Sequence, residues 1–340
     1  MFYVGMIFLN LANPYMTMNT DLLSKNKTEA KKGNSVEKEN LKTENKPLAQ
    51  PEKDEFKRMT KSQIKDILVT PQVARSDCYL VSTLKALAKS GFGKKILKNC
   101  ITLNSDKTAY NVNFKKYQNE GEKASYTVNN GEKYLETTGK FSLNPIGAVE
   151  VASSDLLNDR KDAKPWYLRV FGYDTNLEGN LASVFMKNLT GKDPISLNDN
   201  SPFSLSFKNK KNAKELLDKI GNLPIDKHSF VAGSVISEPE LDSIKAKHYY
   251  VIKDVDNKKK EVHLMNPRYI NFSNEKVVQE FEKIIDNDIR KDDISERAVE
   301  QEKRILRKEL KEMPRVITLS YDDFIDNFRS IVGYMQEKVK

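Results

Sequence analysis

The stretch HYYVIKDVDNKKKEVHLMNP, residues 248 to 267, constrains the fold more than any other. Two apolar runs flank a polar turn, which reads as an antiparallel hairpin. With the turn near Asp256 to Lys259, the register sets Asp254 opposite Lys260 and His248 opposite Asn266. Directly opposed residues share a face, with Cβ atoms roughly 5 Å apart. His263 has the opposite parity from Asn266 and points to the other face. It reads as a surface or satisfied strand histidine. His228 opens HSFVAGSVIS, a buried strand. With no orienting partner in view, it takes the same reading. A one-residue slip would undo the pairing of His248 with Asn266, because strand side chains alternate between faces.

The rest of the chain divides around this hairpin. Residues 19 to 60 are rich in Lys, Glu, Asn and Thr, with almost no apolar periodicity. Such a stretch buries too little surface to offset its ordering entropy, so residues 1 to 60 read as a disordered leader behind a short apolar N-terminus. Order is expected from about MTKSQIKDIL. Residues 78 to 89 read as a helix, with Leu80, Leu84, Leu87 and Ala88 on one face and Gly91 ending it. AYNVNFKKY and KASYTVNNGEKYLET alternate like strands. GNLASVFMKNLTG reads as a helix stopped by Gly191, and AKELLDKIGNLP as another closed by Gly and Pro. Residues 275 to 312 are charged and helical in pattern, a solvated insertion. RVITLS reads as a strand and YDDFIDNFRSIV as a helix, capped by Ser320 or Asp322. Helices dominate around residue 78 and strands dominate the second half, an α+β pattern in two lobes, 61–200 and 201–340.

Composition narrows the partners. The chain has 340 residues, 38% hydrophobic and 31% charged, with a net charge of +9. The lysines are interspersed with nearly as many acids, and no arginine–aromatic patch stands out, so no nucleic acid is expected. MFYVGMIFLNLA is an apolar run of about a dozen residues, too short to span a bilayer, so no integral membrane span is expected. It lacks the positive flank of a strong signal peptide. A weak signal sequence, or a true start at Met16 or Met18, stays open. Cys78 and Cys100 are the only cysteines and form no C-x-x-C pair. A cytoplasmic, reducing location fits them, with secretion the alternative. Two cysteines and three histidines speak against a structural zinc site.

Cys78 stands where a loop turns into a helix. A helix N-terminus favours a thiolate, because unpaired N–H groups and the macrodipole attract negative charge. From position alone a buried, inert cysteine is the commoner case. A nucleophile also needs a base and an oxyanion donor. His248 can supply the base, Asn266 can hold its ring, and the amide of Gln72, six positions before Cys78, can donate to an oxyanion.

With these residues the chain resembles the calpain family of papain-like cysteine proteases over residues 65 to 335. The family's Gln-to-Cys spacing is kept in QVARSDCYL. The histidine motif is similar to HYYVI and the asparagine motif to MNPRY. YNVNFKKYQNEGEKASYTVNN, LASVFMKNLTG and ITLSYDDFIDNFRSI look like later family elements in order. The resemblance implies a papain-like two-lobed fold, with a helical lobe carrying Cys78 and a β-rich lobe carrying His248 and Asn266. It implies Cys78 as nucleophile, His248 as base and then acid, Asn266 as orienter and Gln72 at the oxyanion hole. The activity would be peptide-bond hydrolysis through a thioester, on a protein or peptide substrate. The alternatives are a catalytically weak binding or scaffold module and an acyl-transfer enzyme of deamidase or transglutaminase type. Tyr79, Arg268, Tyr269 and Lys247 depart from the family's Trp, Trp-Gly and Gly. Animal members bind calcium, but no D-x-[DN]-x-[DN]-G run is present, so no metal or other cofactor is expected.

Overall fold

The computed structural model describes residues 56–70, 72, 77–129, 144–160, 163, 181–199, 206–237, 239–269, 304, 308 and 314–336. Residues 1–55 of the expected leader and almost all of the charged stretch 275–312 lie outside the described residues. The last part of that leader, 56–60, is not disordered as expected, since Lys57 and Arg58 pair with Leu103 and Thr102 and Met59 is buried. The architecture is mixed helix and antiparallel sheet.

In chain order the first elements are β1 (Lys57–Arg58), α1 (Lys61–Val69), α2 (Cys78–Lys89), α3 (Gly91–Cys100), β2 (Ile101–Leu103), β3 (Ala109–Asn113), α4 (Lys115–Asn119), β4 (Ser125–Asn129) and α5 (Pro145–Asp159). Then come α6 (Ala182–Thr190), β5 (Ile195–Leu197), α7 (Lys210–Gly221) and a short 3-10 turn at Ile225–Lys227. The last are β6 (His228–Ser234), β7 (Tyr249–Asp256), β8 (Glu261–Met265), β9 (Ile317–Ser320), α8 (Tyr321–Asn327) and β10 (Phe328–Met335). β1 to β4 form one sheet in sequence order. The second sheet has six strands in the order β5-β10-β6-β7-β8-β9.

Local chemistry sets several boundaries. Thr60 and Gln63 form a capping box at α1. Ser90 ends α2 and caps α3, its side chain accepting from Gly93 N. Gly91 therefore does not end the helix as expected; it is the first residue of the next one. Asn144 and Pro145 give α5 an N-cap and an N1 proline, a start signal the sequence reading passed over. Gly191 does stop α6, at φ 69°, the left-handed conformation a C-cap requires. The strand expected across AYNVNFKKY ends at Asn113, and Lys115–Asn119 turns helical.

The end of the chain differs from expectation. Ser320 caps α8, its hydroxyl accepting from Asp323 N. The helix then stops at Asn327, and the expected continuation through Val332 is instead β10. Phe324, Ile325, Phe328, Ile331 and Val332 have helical spacing in sequence. As a strand between β5 and β6, however, Phe328 to Val332 bury both faces, so period 3.6 could not be told from a wholly buried strand.

The six-stranded sheet carries a core on each face. Val231, Tyr249, Val251 and Val332 join the core built by α1, α2, α3, α5 and α6. Phe230, Ala232, Tyr250, Ile252 and Ile331 join α7 and α8 on the other side. α2 packs on both β6 and β7 and is buried along nearly its whole length. Leu84, wholly buried in α2, would leave a cavity costing about 2–5 kcal/mol on replacement by alanine. A solvent-excluded helix laid on the middle of a sheet fixes where its first residue, Cys78, meets the start of β7.

Candidate active site

His248 immediately precedes β7 and Asn266 immediately follows β8. Their hairpin exists, but its register is not the expected one. Val251 pairs with Met265 and Ile252 with Leu264, and then the ladder slips so that Asp254 pairs with His263 rather than standing opposite Lys260. Two local features cause this. An extra residue, Lys253, bulges β7. The turn occupies 257–260, with Asp256 Oδ1 accepting from Lys258 N and Lys259 N and Lys260 held at φ 57°. Continuing the Val251–Met265 register puts Tyr250, not His248, level with Asn266. The net displacement at this end is even, so His248 and Asn266 keep the same face and meet diagonally. His248 Nε2 lies 3.1 Å from Asn266 Oδ1, and both residues are buried.

That contact fixes the tautomer. Asn266 Oδ1 also accepts the backbone N–H of Arg268 at 3.0 Å. An oxygen accepting there requires Nε2 of His248 to carry the hydrogen, which leaves Nδ1 bare for proton transfer. The backbone of His248 is held as firmly. Ser234 Oγ accepts His248 N at 2.9 Å and donates to Lys245 O at 2.6 Å, while Ser234 N donates to His248 O at 2.8 Å. Lys247, just before, stands at φ 53°, a left-handed position.

Cys78 is the first residue of α2 and only 7% exposed. Its sulfur contacts the backbone of Tyr249, the residue after His248. The hydroxyl of Ser82, one turn on, donates to Tyr249 O at 2.9 Å. Among the described residues Cys78 and His248 make no hydrogen bond with each other. Burial works against the help that the helix N-terminus gives the thiolate. Burial pushes the Cys78 thiol up to about 11, against the opposing backbone contact with Tyr249; the negative charge of Asp77 acts in the same direction as burial. Burial, then the Arg268 cation, pull His248 down to about 3. Both shifts favour the neutral forms, thiol and imidazole.

Gln72 is buried, and its Nε2 donates to Asp77 Oδ1 at 2.7 Å. Its backbone N donates to Pro267 O at 2.8 Å, tying the loop before Cys78 to the loop after β8. Asp77 in turn hydrogen-bonds Glu150 of α5. Burial raises both carboxyls, Glu150 strongly, and the negative charge of Asp77 adds to the shift at Glu150.

The other two histidines differ from each other. His263 Nδ1 lies 3.0 Å from Thr318 Oγ1 at a half-buried position, in keeping with a satisfied strand histidine. His228 is neither surface nor satisfied. It is wholly buried, and neither ring nitrogen has a hydrogen-bond partner among the described residues. The reason is topological, since β6 lies between β10 and β7 and is buried at all seven positions. Burial pulls His228 down to about 4.

Sequence reasoning missed a polar stripe on α2. Cys78, Ser82, Lys85 and Lys89 recur at helical spacing and face the sheet. Lys89 Nζ donates to Ile252 O at 2.9 Å, and Lys85 Nζ to Pro267 O at 3.1 Å. The available signal was the presence of Ser82 and Lys85 within the apolar run YLVSTLKALA. Asp77 and Ser234 carried no comparable sign.

Among the described residues no group of His, Cys, Asp or Glu side chains could hold a metal ion, and no described helix is long and apolar enough to cross a membrane. No protein-family model matches the chain, and no curated protein matches it.

Proposed function

We propose that this chain is a papain-like, calpain-type cysteine peptidase. The observation that carries the reading is the buried 3.1 Å contact between His248 Nε2 and Asn266 Oδ1, beside the helix that begins with Cys78. The tautomer leaves Nδ1 of His248 bare, the form a general base needs.

In this reading Cys78 Sγ attacks the scissile carbonyl carbon as its proton passes to His248 Nδ1. The oxyanion is met by the backbone N–H of Cys78 and by the side-chain amide of Gln72, which in this state donates to Asp77. Collapse breaks the C–N bond, and the imidazolium returns its proton to the leaving amine. Water then attacks the thioester, giving a proton to His248, and the acid leaves as the thiol is restored. Since both shifts favour the neutral forms, the proton moves during attack rather than before it. Lys247 at φ 53° supports the resemblance as well, since the family carries glycine there and a left-handed residue is what glycine serves.

The test is incubation of the purified chain with an epoxide or vinyl-sulfone probe for papain-like enzymes and with a peptide library, Cys78→Ala alongside. Wild-type labelling at Cys78 with cleavage is expected. Absence of both, with and without calcium, sinks the reading. A binding module is the second reading. It is favoured by the lack of a hydrogen bond between Cys78 and His248 and by the engagement of Gln72 Nε2 with Asp77.

A further inference from the structure

Lys85 is 2% exposed, in the middle of a helix packed on all sides. Its ammonium has one described partner, Pro267 O at 3.1 Å. The same carbonyl accepts Gln72 N at 2.8 Å. Three parts of the site thus converge on one oxygen: the helix that begins with Cys78, the loop that carries Gln72, and the turn whose preceding residue is Asn266. That turn is otherwise held by Arg268 N to Asn266 Oδ1 and Tyr269 N to Asn266 O.

We propose that Lys85 is a positioning residue of the site, clamping the Asn266–Pro267 turn and the Gln72 loop to the helix of Cys78 through the carbonyl of Pro267. The proposal rests on the peptidase reading for its kinetic consequence but not for the clamp itself. A buried cation with a single neutral acceptor is costly, and an apolar chain of similar volume fills such a place at lower cost. Methionine would pack there; what lysine adds is a donor at Pro267 O. Burial draws Lys85 down to about 7, and both its charged and neutral forms carry an N–H, so the clamp holds on either side of neutrality. The consequence runs from Lys85 to Pro267 O, from there to the placement of Asn266, and through Asn266 Oδ1 to the angle of the His248 ring.

A purely structural lysine and a clamp give opposite patterns. Lys85→Met is expected to raise the denaturant midpoint while lowering kcat on a quenched-fluorescent peptide about ten- to hundredfold with KM little changed, the scale of a misplaced catalytic group. Lys85→Arg, which keeps a donor, is expected to lie between. A second readout needs no activity. The His248 Nε2–H proton resonance, assigned by its loss in His248→Ala, is expected in wild type and shifted or lost in folded Lys85→Met. If neither chain cleaves peptides but the resonance still responds, the clamp stands and the peptidase reading falls. A folded Lys85→Met with wild-type resonance and wild-type kcat overturns the clamp. Should Lys85→Met not fold, Lys85→Gln decides, its neutral amide being one bond too short to reach Pro267 O: lowered kcat at unchanged KM with a displaced resonance supports the clamp, and behaviour identical to wild type overturns it.

Discussion

The state of the Cys78 thiol can be read directly from its rate of alkylation as a function of pH. Burial, aided by Asp77, raises the thiol from 9.0 to about 11. Two pKa units correspond to about 2.7 kcal/mol of thiolate destabilisation. At pH 7 the thiolate fraction then falls from roughly one in a hundred to roughly one in ten thousand. Since only the thiolate reacts, iodoacetamide should modify Cys78 about a hundredfold more slowly at pH 7 than an ordinary thiol, from ionisation alone. The rate should climb about tenfold per pH unit through pH 9 with no plateau in the neutral range. Peptide mapping by mass spectrometry separates Cys78 from Cys100, which is also buried and pushed up to about 12. A pH-independent rate between pH 5 and 8 would mean a preformed thiolate–imidazolium pair. It would refute the argument that burial outweighs the helix N-terminus here.

Two further outcomes follow from single residues. His228 is held neutral, at about 4 against an ordinary 6.5. The unfolded chain therefore takes up a proton that the folded one refuses, and stability falls as pH drops through that window, by up to about 3 kcal/mol. His228→Phe should remove this loss and raise the urea midpoint at pH 7, since an orphaned imidazole is exchanged for an apolar ring. A variant destabilised at pH 7, with the acid sensitivity intact, would show that the imidazole has a partner. Lys247→Gly should stabilise by about 1 kcal/mol, because φ 53° costs a lysine what it does not cost glycine. A loss of stability on chemical denaturation would contradict that strain.

The sequence was informative where one periodicity had one outcome. The hairpin of β7 and β8 was legible, and so was the shared face of His248 and Asn266, because parity survives an even displacement. The register itself was not legible. It turns on a bulge at Lys253 and a left-handed Lys260, and neither residue type announces either. β10 was misread because a strand buried on both faces has no alternation to display. α5 was passed over although Asn144-Pro145 marked its start. Cys78, His248, Asn266 and Gln72 could be nominated as a group, since each role needs a particular functional group. The residues that hold them, Ser234, Asp77 and Lys85, act through backbone carbonyls and buried partners that only the fold brings together.

The central claim is that His248, oriented by Asn266, is the base that serves Cys78. The most direct measurement is probe labelling of Cys78 in His248→Ala beside His263→Ala, each checked for folding by circular dichroism. Loss of labelling in His248→Ala with near wild-type labelling in His263→Ala is the predicted result. Labelling that persists in His248→Ala, or that fails in His263→Ala, would contradict the account.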